Sequence, residues 1–268
     1  MGEYIQLTGS KIRYRITGQG HCVVLIHGYL ENMEIWNDYA NALSGQYRVL
    51  VLDLPGHGKS ACNMESVPMD YMADCLKLLM DQLSIARAAL VGHSMGGYMA
   101  LSFAERYPER LAGLCLLHST PNADSPDKRD ARLREIDLVR SGKKGLLFKE
   151  MIPNRFADRN LSRFSKEIEA LTRMAIDTPD AGVVGALNGM ANRPDRNAVI
   201  EKAQVPVHFI FGRADNLIPA EVARRQEERH GEARVVYLEN SGHTGFIEER
   251  DQALSAIASF LNEVFSWA

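Results

Sequence analysis

The stretch Gly92-His93-Ser94-Met95-Gly96 constrains the fold of this chain more than any other. An apolar, β-like run precedes it at residues 88–91, and a helix-like run follows at 97–104. A chain that leaves a strand and enters a helix within five residues must turn sharply. The residue at the turn, Ser94, is then forced into a strained backbone conformation, with its hydroxyl held out above the sheet. Glycines on both sides are needed because side chains there would collide with the neighbouring strand and helix. The five-residue pattern recurs by chance in many chains. The strand–turn–helix setting is what marks Ser94 as a candidate nucleophile.

The rest of the chain supplies a sheet for that turn. Short, nearly continuous apolar runs recur at 22–26, 47–52, 88–91, 111–117, 205–211 and 234–238. Continuous rather than alternating hydrophobicity predicts strands buried on both faces, as in a parallel sheet. Helical patterns at 71–83, 97–106 and 220–230 fall between them, which predicts an α/β fold with a doubly wound, mostly parallel sheet. Residues 4–7 and 11–16 alternate weakly, as a half-exposed antiparallel hairpin would.

One connection breaks the rhythm. Between Leu117 and Val205 the chain opens with a polar segment at 121–130, then shows helical patterns at 131–140, 144–151, 161–176 and 181–191. That is too much for one crossover helix, and a structureless loop of such length is improbable. The economical division is a core of residues 1–120 and 196–268, with a helical cap at 121–195 inserted after the sixth strand.

A serine hydroxyl needs a general base to become a nucleophile at neutral pH, and histidine can both take and return the proton. His243 follows the last predicted strand in the glycine-rich loop Asn240-Ser241-Gly242-His243-Thr244-Gly245. The imidazole in turn needs a carboxylate, and Asp215 stands just after another strand, in Gly212-Arg213-Ala214-Asp215. The order Ser94, Asp215, His243 places all three beyond the carboxyl ends of strands, where doubly wound sheets bind ligands. Two oxyanion donors complete the set: the amide of Met95, and the backbone N–H of Tyr29 in the loop after residues 23–26. Candidate pocket residues are His118, at a strand's carboxyl end, and the cap methionines Met151 and Met190, which would suit a pliable apolar wall.

Together with His27-Gly28-Tyr29 and Asp53-Leu54-Pro55-Gly56-His57-Gly58-Lys59-Ser60, these motifs resemble the α/β-hydrolase superfamily over nearly the whole chain. Within it the chain is similar to small capped serine carboxylesterases and enol-lactone hydrolases. The resemblance implies a cofactor-free serine hydrolase that cleaves a small carboxylic ester or lactone through an acyl-enzyme. It also implies loop-packing roles for His93 and His57 and a structural role for Asp53. One departure is Thr244-Gly245, where the family often has Pro or another apolar residue. A serine at the elbow argues against haloalkane and epoxide hydrolysis, which use a carboxylate nucleophile on this fold.

Two other readings stay open at this point. One keeps the triad but makes it a carbon–carbon bond hydrolase or cofactor-free lyase, with Arg155, Arg173 or Arg193 over an acidic substrate. The other is a catalytically vestigial ligand-binding sensor. Composition excludes more than it selects. A net charge of −3 gives no basic face for nucleic acid, and the basic cluster at 128–135 is interleaved with acids, as on a solvated helix face. No apolar run approaches a membrane span, and residues 1–6 lack the basic start and apolar core of a signal peptide, so the chain reads as cytoplasmic. Neither a metal-binding motif nor a dinucleotide or P-loop pattern occurs, so no cofactor is expected. Of the four cysteines, Cys22 and Cys115 read as core thiols.

Overall fold

The computed structural model describes residues 2–7 and 9–266. Among the described residues nine strands form one sheet: β1 (Glu3–Leu7), β2 (Ser10–Thr17), β3 (Cys22–Ile26), β4 (Arg48–Leu52), β5 (Ala61–Cys62), β6 (Ala88–His93), β7 (Leu111–Leu117), β8 (Val207–Gly212) and β9 (Arg234–Leu238). Their order is β1-β2-β4-β3-β6-β7-β8-β9, with β5 paired to β2. From β4 to β9 neighbouring strands run parallel, while β1, β2 and β5 pair antiparallel. The expected doubly wound, mostly parallel sheet is therefore the observed one.

The helices between the strands are α1 (Asn37–Leu43), α2 (Met69–Gln82) and α3 (Met95–Arg106). Between β7 and β8 come α4 (Pro126–Arg140), α5 (Lys144–Met151), α6 (Ser165–Asp177), α7 (Asp180–Ala191) and α8 (Asn197–Glu201). The last three are α9 (Ala220–Arg229), α10 (Gly245–Glu248) and α11 (Arg250–Ser266). The central strands carry apolar residues at every position because both faces are covered. In β3, Val24 and Ile26 join the core beneath α2 and α3, while Val23 and Leu25 join the core beneath α1 and α11. Strand β3 lies between β4 and β6, so successive crossovers leave it in opposite directions. This reversal opens a crevice at the carboxyl ends of β3 and β6.

Several boundaries differ from the sequence reading, each for a local reason. Helix α4 begins at Pro126, inside the segment read as polar connection, because Ser125 caps it by accepting from the Lys128 N–H and proline suits the first turn. Helix α6 starts at Ser165 because a 3-10 turn, Asp158–Asn160, takes up the preceding residues. The two-residue β5 and helices α1, α10 and α11 were not read from the pattern. All four cysteines are free and buried.

Candidate active site

The elbow closes as tightly as its sequence demands. Ser94 sits at φ 50°, ψ −114°, between the end of β6 and the first turn of α3. Its N–H donates to Leu117 O at 3.0 Å, and its carbonyl accepts from Ser119 Oγ at 2.8 Å. A Cβ at Gly92 would lie 2.5 Å from Gly96 O, and one at Gly96 would lie 2.6 Å from both Ile26 O and His27 O. Only glycine lets β6, α3 and the loop after β3 converge here.

That convergence places the remaining groups. Asp215 follows β8 and His243 follows β9, and the carboxylate Oδ2 stands 2.8 Å from His243 Nδ1. Asp215 Oδ1 accepts from the N–H groups of Leu217 and Ile218, at 2.8 and 2.9 Å. Burial opposes ionisation of Asp215, but the two imidazoles beside it, His243 and His118, outweigh burial and hold the carboxyl far below its usual range. Burial acts the other way on His243 and lowers it to about 4, against the opposing pull of Asp215. The imidazole is thus neutral at ordinary pH. Its loop is held by Glu248, whose carboxylate accepts from the Gly242 N–H and the Thr244 hydroxyl, each at 2.9 Å.

Ser94 and His243 open onto one cavity of about 260 Å³, together with Tyr29, Tyr98, Arg132, Glu135, Met151, Met190 and Ile218 among others. Met151 and Met190 are therefore on its wall. His118 is not: it is fully buried behind Asp215, with Nδ1 3.3 Å from Oδ2. Met95 opens α3, so its N–H has no intrahelical partner, and neither it nor the Tyr29 N–H bonds another described residue. The Tyr29 phenol is engaged elsewhere, donating to Glu135 at 2.6 Å. A larger depression of 340 Å³, beside Val207 and Ala233 at the opposite ends of β8 and β9, holds neither Ser94 nor its partners.

Two sets of residues escaped the sequence reading. The first is a buried charge network behind His243. Glu31 accepts from the Gly28 N–H at 2.7 Å, pairs with His93 Nδ1 at 2.9 Å, and lies 3.4 Å from Arg155 Nη1. His93 Nε2 in turn lies 3.0 Å from the His243 carbonyl. Arg155 also donates to Tyr29 O at 3.0 Å, and its own carbonyl accepts from the His243 N–H at 2.6 Å. Burial pushes the Glu31 carboxyl up, but His93, Arg155 and the Gly28 amide together bring it down to about 2. No local pattern marks Glu31, since its partners lie 62 and 124 residues away.

The second set is on α4. Arg132 and Glu135 face the cavity, whereas the cluster had been read as a solvated face. Their burial with Ile136 and Val139 follows a one-sided helical spacing that could have singled them out. Of the other histidines, His27 bonds backbone at both ring nitrogens, to Gly28 O and from the Leu54 N–H. His57 Nδ1 lies 3.3 Å from Pro55 O. Asp53 accepts from the N–H groups of Met33 and Lys59, which pins the turn after β4.

The comparisons accord with this geometry. Residues 22–250 match the family model described as alpha/beta hydrolase fold, and the chain belongs to that family. It is 30% identical to the dihydrolipoyllysine-residue acetyltransferase component of an acetoin cleaving system from Pseudomonas putida, over 93% of this chain and 66% of that protein. A pimeloyl-[acyl-carrier protein] methyl ester esterase from Aliivibrio fischeri is 27% identical over 95% of this chain and 98% of its own. A malate-bound thermophilic esterase from Thermogutta terrifontis superposes with a TM-score of 0.93 at 30% identity, covering 98% of this chain and 99% of its own.

Because Glu31 is depressed from 4.5 to about 2, its network contributes stability that is complete above pH 4.5 and is lost as pH falls toward 2. Glu31→Gln is expected to lower the urea midpoint at pH 7 and to flatten the loss of stability between pH 4.5 and 2. A variant as stable and as acid-sensitive as the wild type would show that the network contributes nothing.

Proposed function

We propose that the protein is a serine hydrolase that cleaves small carboxylic esters or lactones through an acyl-enzyme intermediate. The observation that carries this reading is the Asp215–His243 contact at 2.8 Å, with His243 and the strained Ser94 on the wall of one small cavity. Ser94 Oγ attacks the carbonyl carbon while His243 Nε2 takes its proton. The same nitrogen returns the proton to the leaving alkoxide, then activates the water that clears the acyl group. Asp215 fixes the Nδ1–H tautomer and offsets the charge that His243 gains. The N–H groups of Met95 and Tyr29 receive the developing oxyanion.

Residues 121–195 act in this reading as a cap over the elbow. Met151 and Met190 give it an apolar wall, and the short turn Pro153–Arg155 ties it to both Tyr29 and His243. The two esterases among the similar proteins support ester chemistry.

The cavity also supports a preference within that chemistry. Of the three arginines considered for an acidic substrate, Arg155 is committed to Tyr29 and Glu31, Arg173 pairs with Glu169 on an exposed face, and Arg193 stacks behind Tyr98. Arg132, like Arg155, lines the cavity. Its Nε and Nη2 bond Asp124, whereas Nη1 bonds no other described residue. Asp124 carries Arg193 as well, so two guanidinium groups share one carboxylate. The free Nη1 on the cavity wall, set against the nearby Glu135 carboxyl, favours substrates with a carboxylate remote from the scissile bond.

Ser94→Ala is expected to abolish turnover of p-nitrophenyl acetate and labelling by a fluorophosphonate probe, while the protein stays folded. A folded wild type that neither labels nor turns over esters would favour the sensor reading. Since the base must be neutral and burial holds His243 at about 4, the acid limb of kcat/KM should fall below pH 6.5. A limb at or above 6.5 would count against His243 in its buried setting. For substrate charge, monomethyl dicarboxylates are to be compared with neutral methyl esters of equal length. Arg132→Gln should reduce the acidic-to-neutral ratio of kcat/KM by about tenfold. An unchanged ratio would remove Arg132 from recognition.

A further inference from the structure

Asp215 serves two histidines, and the reaction just described uses only one. His118, the first residue after β7, places Nδ1 3.3 Å from the same Oδ2 that meets His243 at 2.8 Å. An ionised carboxylate only accepts hydrogen bonds, so His118 Nδ1 carries the hydrogen and Nε2 is left bare. That second nitrogen is fully buried without a partner among the described residues. It faces Gly245, where an added Cβ would stand 2.5 Å from Nε2 and 2.5 Å from Leu238 Cδ1. His118 is also held at φ 47°, in the left-handed region that non-glycine residues rarely occupy.

A bare ring nitrogen in an apolar seat and a left-handed backbone are both unfavourable. A leucine or phenylalanine would fill the same space without stranding a polar atom. What an apolar side chain could not supply is the bond to Asp215. The Thr244-Gly245 departure from the family pattern fits the same account, because any larger residue at 245 would displace the imidazole.

We infer that His118 is a positioning residue that fixes the Asp215 carboxylate and, by sharing Oδ2, weakens its hold on the His243 proton. The inference rests on reading Asp215 and His243 as acid and base. The groups around His243 divide in sign. Asp215, from the loop after β8, favours its charged form. His93 at the end of β6 opposes it, as would any positive charge gained by His118 at the end of β7. Behind His93 stand Glu31 and Arg155, paired with each other, and Glu248 accepts from the Gly242 N–H and the Thr244 hydroxyl. Removing His118 leaves more of the carboxylate's charge directed at His243, so the base should protonate at higher pH.

The test is the pH profile of kcat/KM for p-nitrophenyl acetate. In His118→Leu the acid limb is expected to move up by about half to one pH unit. His118→Asn, whose amide can donate from near the Nδ1 position, should recover most of that shift. Gly245→Ala in the wild-type background should move the limb in the same direction, and should add nothing in the His118→Leu background. The downfield Nδ1–H proton resonance of His243 should report the same changes without turnover. A folded His118→Leu protein with the wild-type limb, or Leu and Asn variants that behave alike, would overturn the inference. If His118→Leu does not fold, an unmoved limb in Gly245→Ala would overturn it equally. Activity surviving Ser94→Ala would instead refute the underlying serine reading, so the two failures are distinct.

Discussion

The structure is organised around one buried negative charge. Asp215 is removed from water almost completely, and an ionised carboxylate in such a place is costly unless every lone pair finds a donor. Two donors come from its own loop, the Leu217 and Ile218 amides, and two from histidines at the ends of β7 and after β9. Three separate segments must therefore meet at one point. The parallel sheet makes this feasible, because it delivers the carboxyl ends of β7, β8 and β9 side by side.

A second buried charge ties the remaining pieces to the first. Glu31 gathers the Gly28 amide, His93 and Arg155, and thereby fastens the loop after β3, the elbow and the helical insertion to one another. The insertion is bound at the His243 loop as well as at the Tyr29 loop, since Arg155 holds Tyr29 O with its side chain and the His243 N–H with its carbonyl. Breaking such a pair costs more than its formation contributes, because one charge is left buried and alone. The geometry around Ser94 is thus fixed by Glu31 and His93, which do not line the cavity, and by Arg155, which does.

What could be read from the sequence follows the range of the interactions involved. The strand–turn–helix about Ser94 is a local constraint, legible because Gly92 and Gly96 can be nothing else. The sheet was legible because doubly covered strands are apolar throughout. His243 and Asp215 could be picked out because they follow strands in polar, glycine-rich loops. Glu31 and Glu248 are not legible, since the segments each joins to its own loop lie far away in sequence and a lone acid has no periodicity. Arg132 and Glu135 were misread for a different reason. Their helix is amphipathic toward a cavity, so its inner face carries charge that composition alone assigns to solvent.

The two buried systems also constrain each other's chemistry. In the proposed mechanism, burial keeps His243 neutral and so fit to accept a proton, yet the same burial makes its protonated form expensive in the transition state. A carboxylate offsets that expense, but one acting without competition would favour the imidazolium before substrate arrives. Dividing Asp215 Oδ2 between His243 and His118 sets an intermediate strength, because each donor takes part of the charge the other would feel. The left-handed backbone and bare nitrogen of His118 are then understandable as costs borne at the one position from which a second donor reaches that oxygen. Gly245 completes the argument, since the imidazole can occupy its seat only where the facing residue has no side chain.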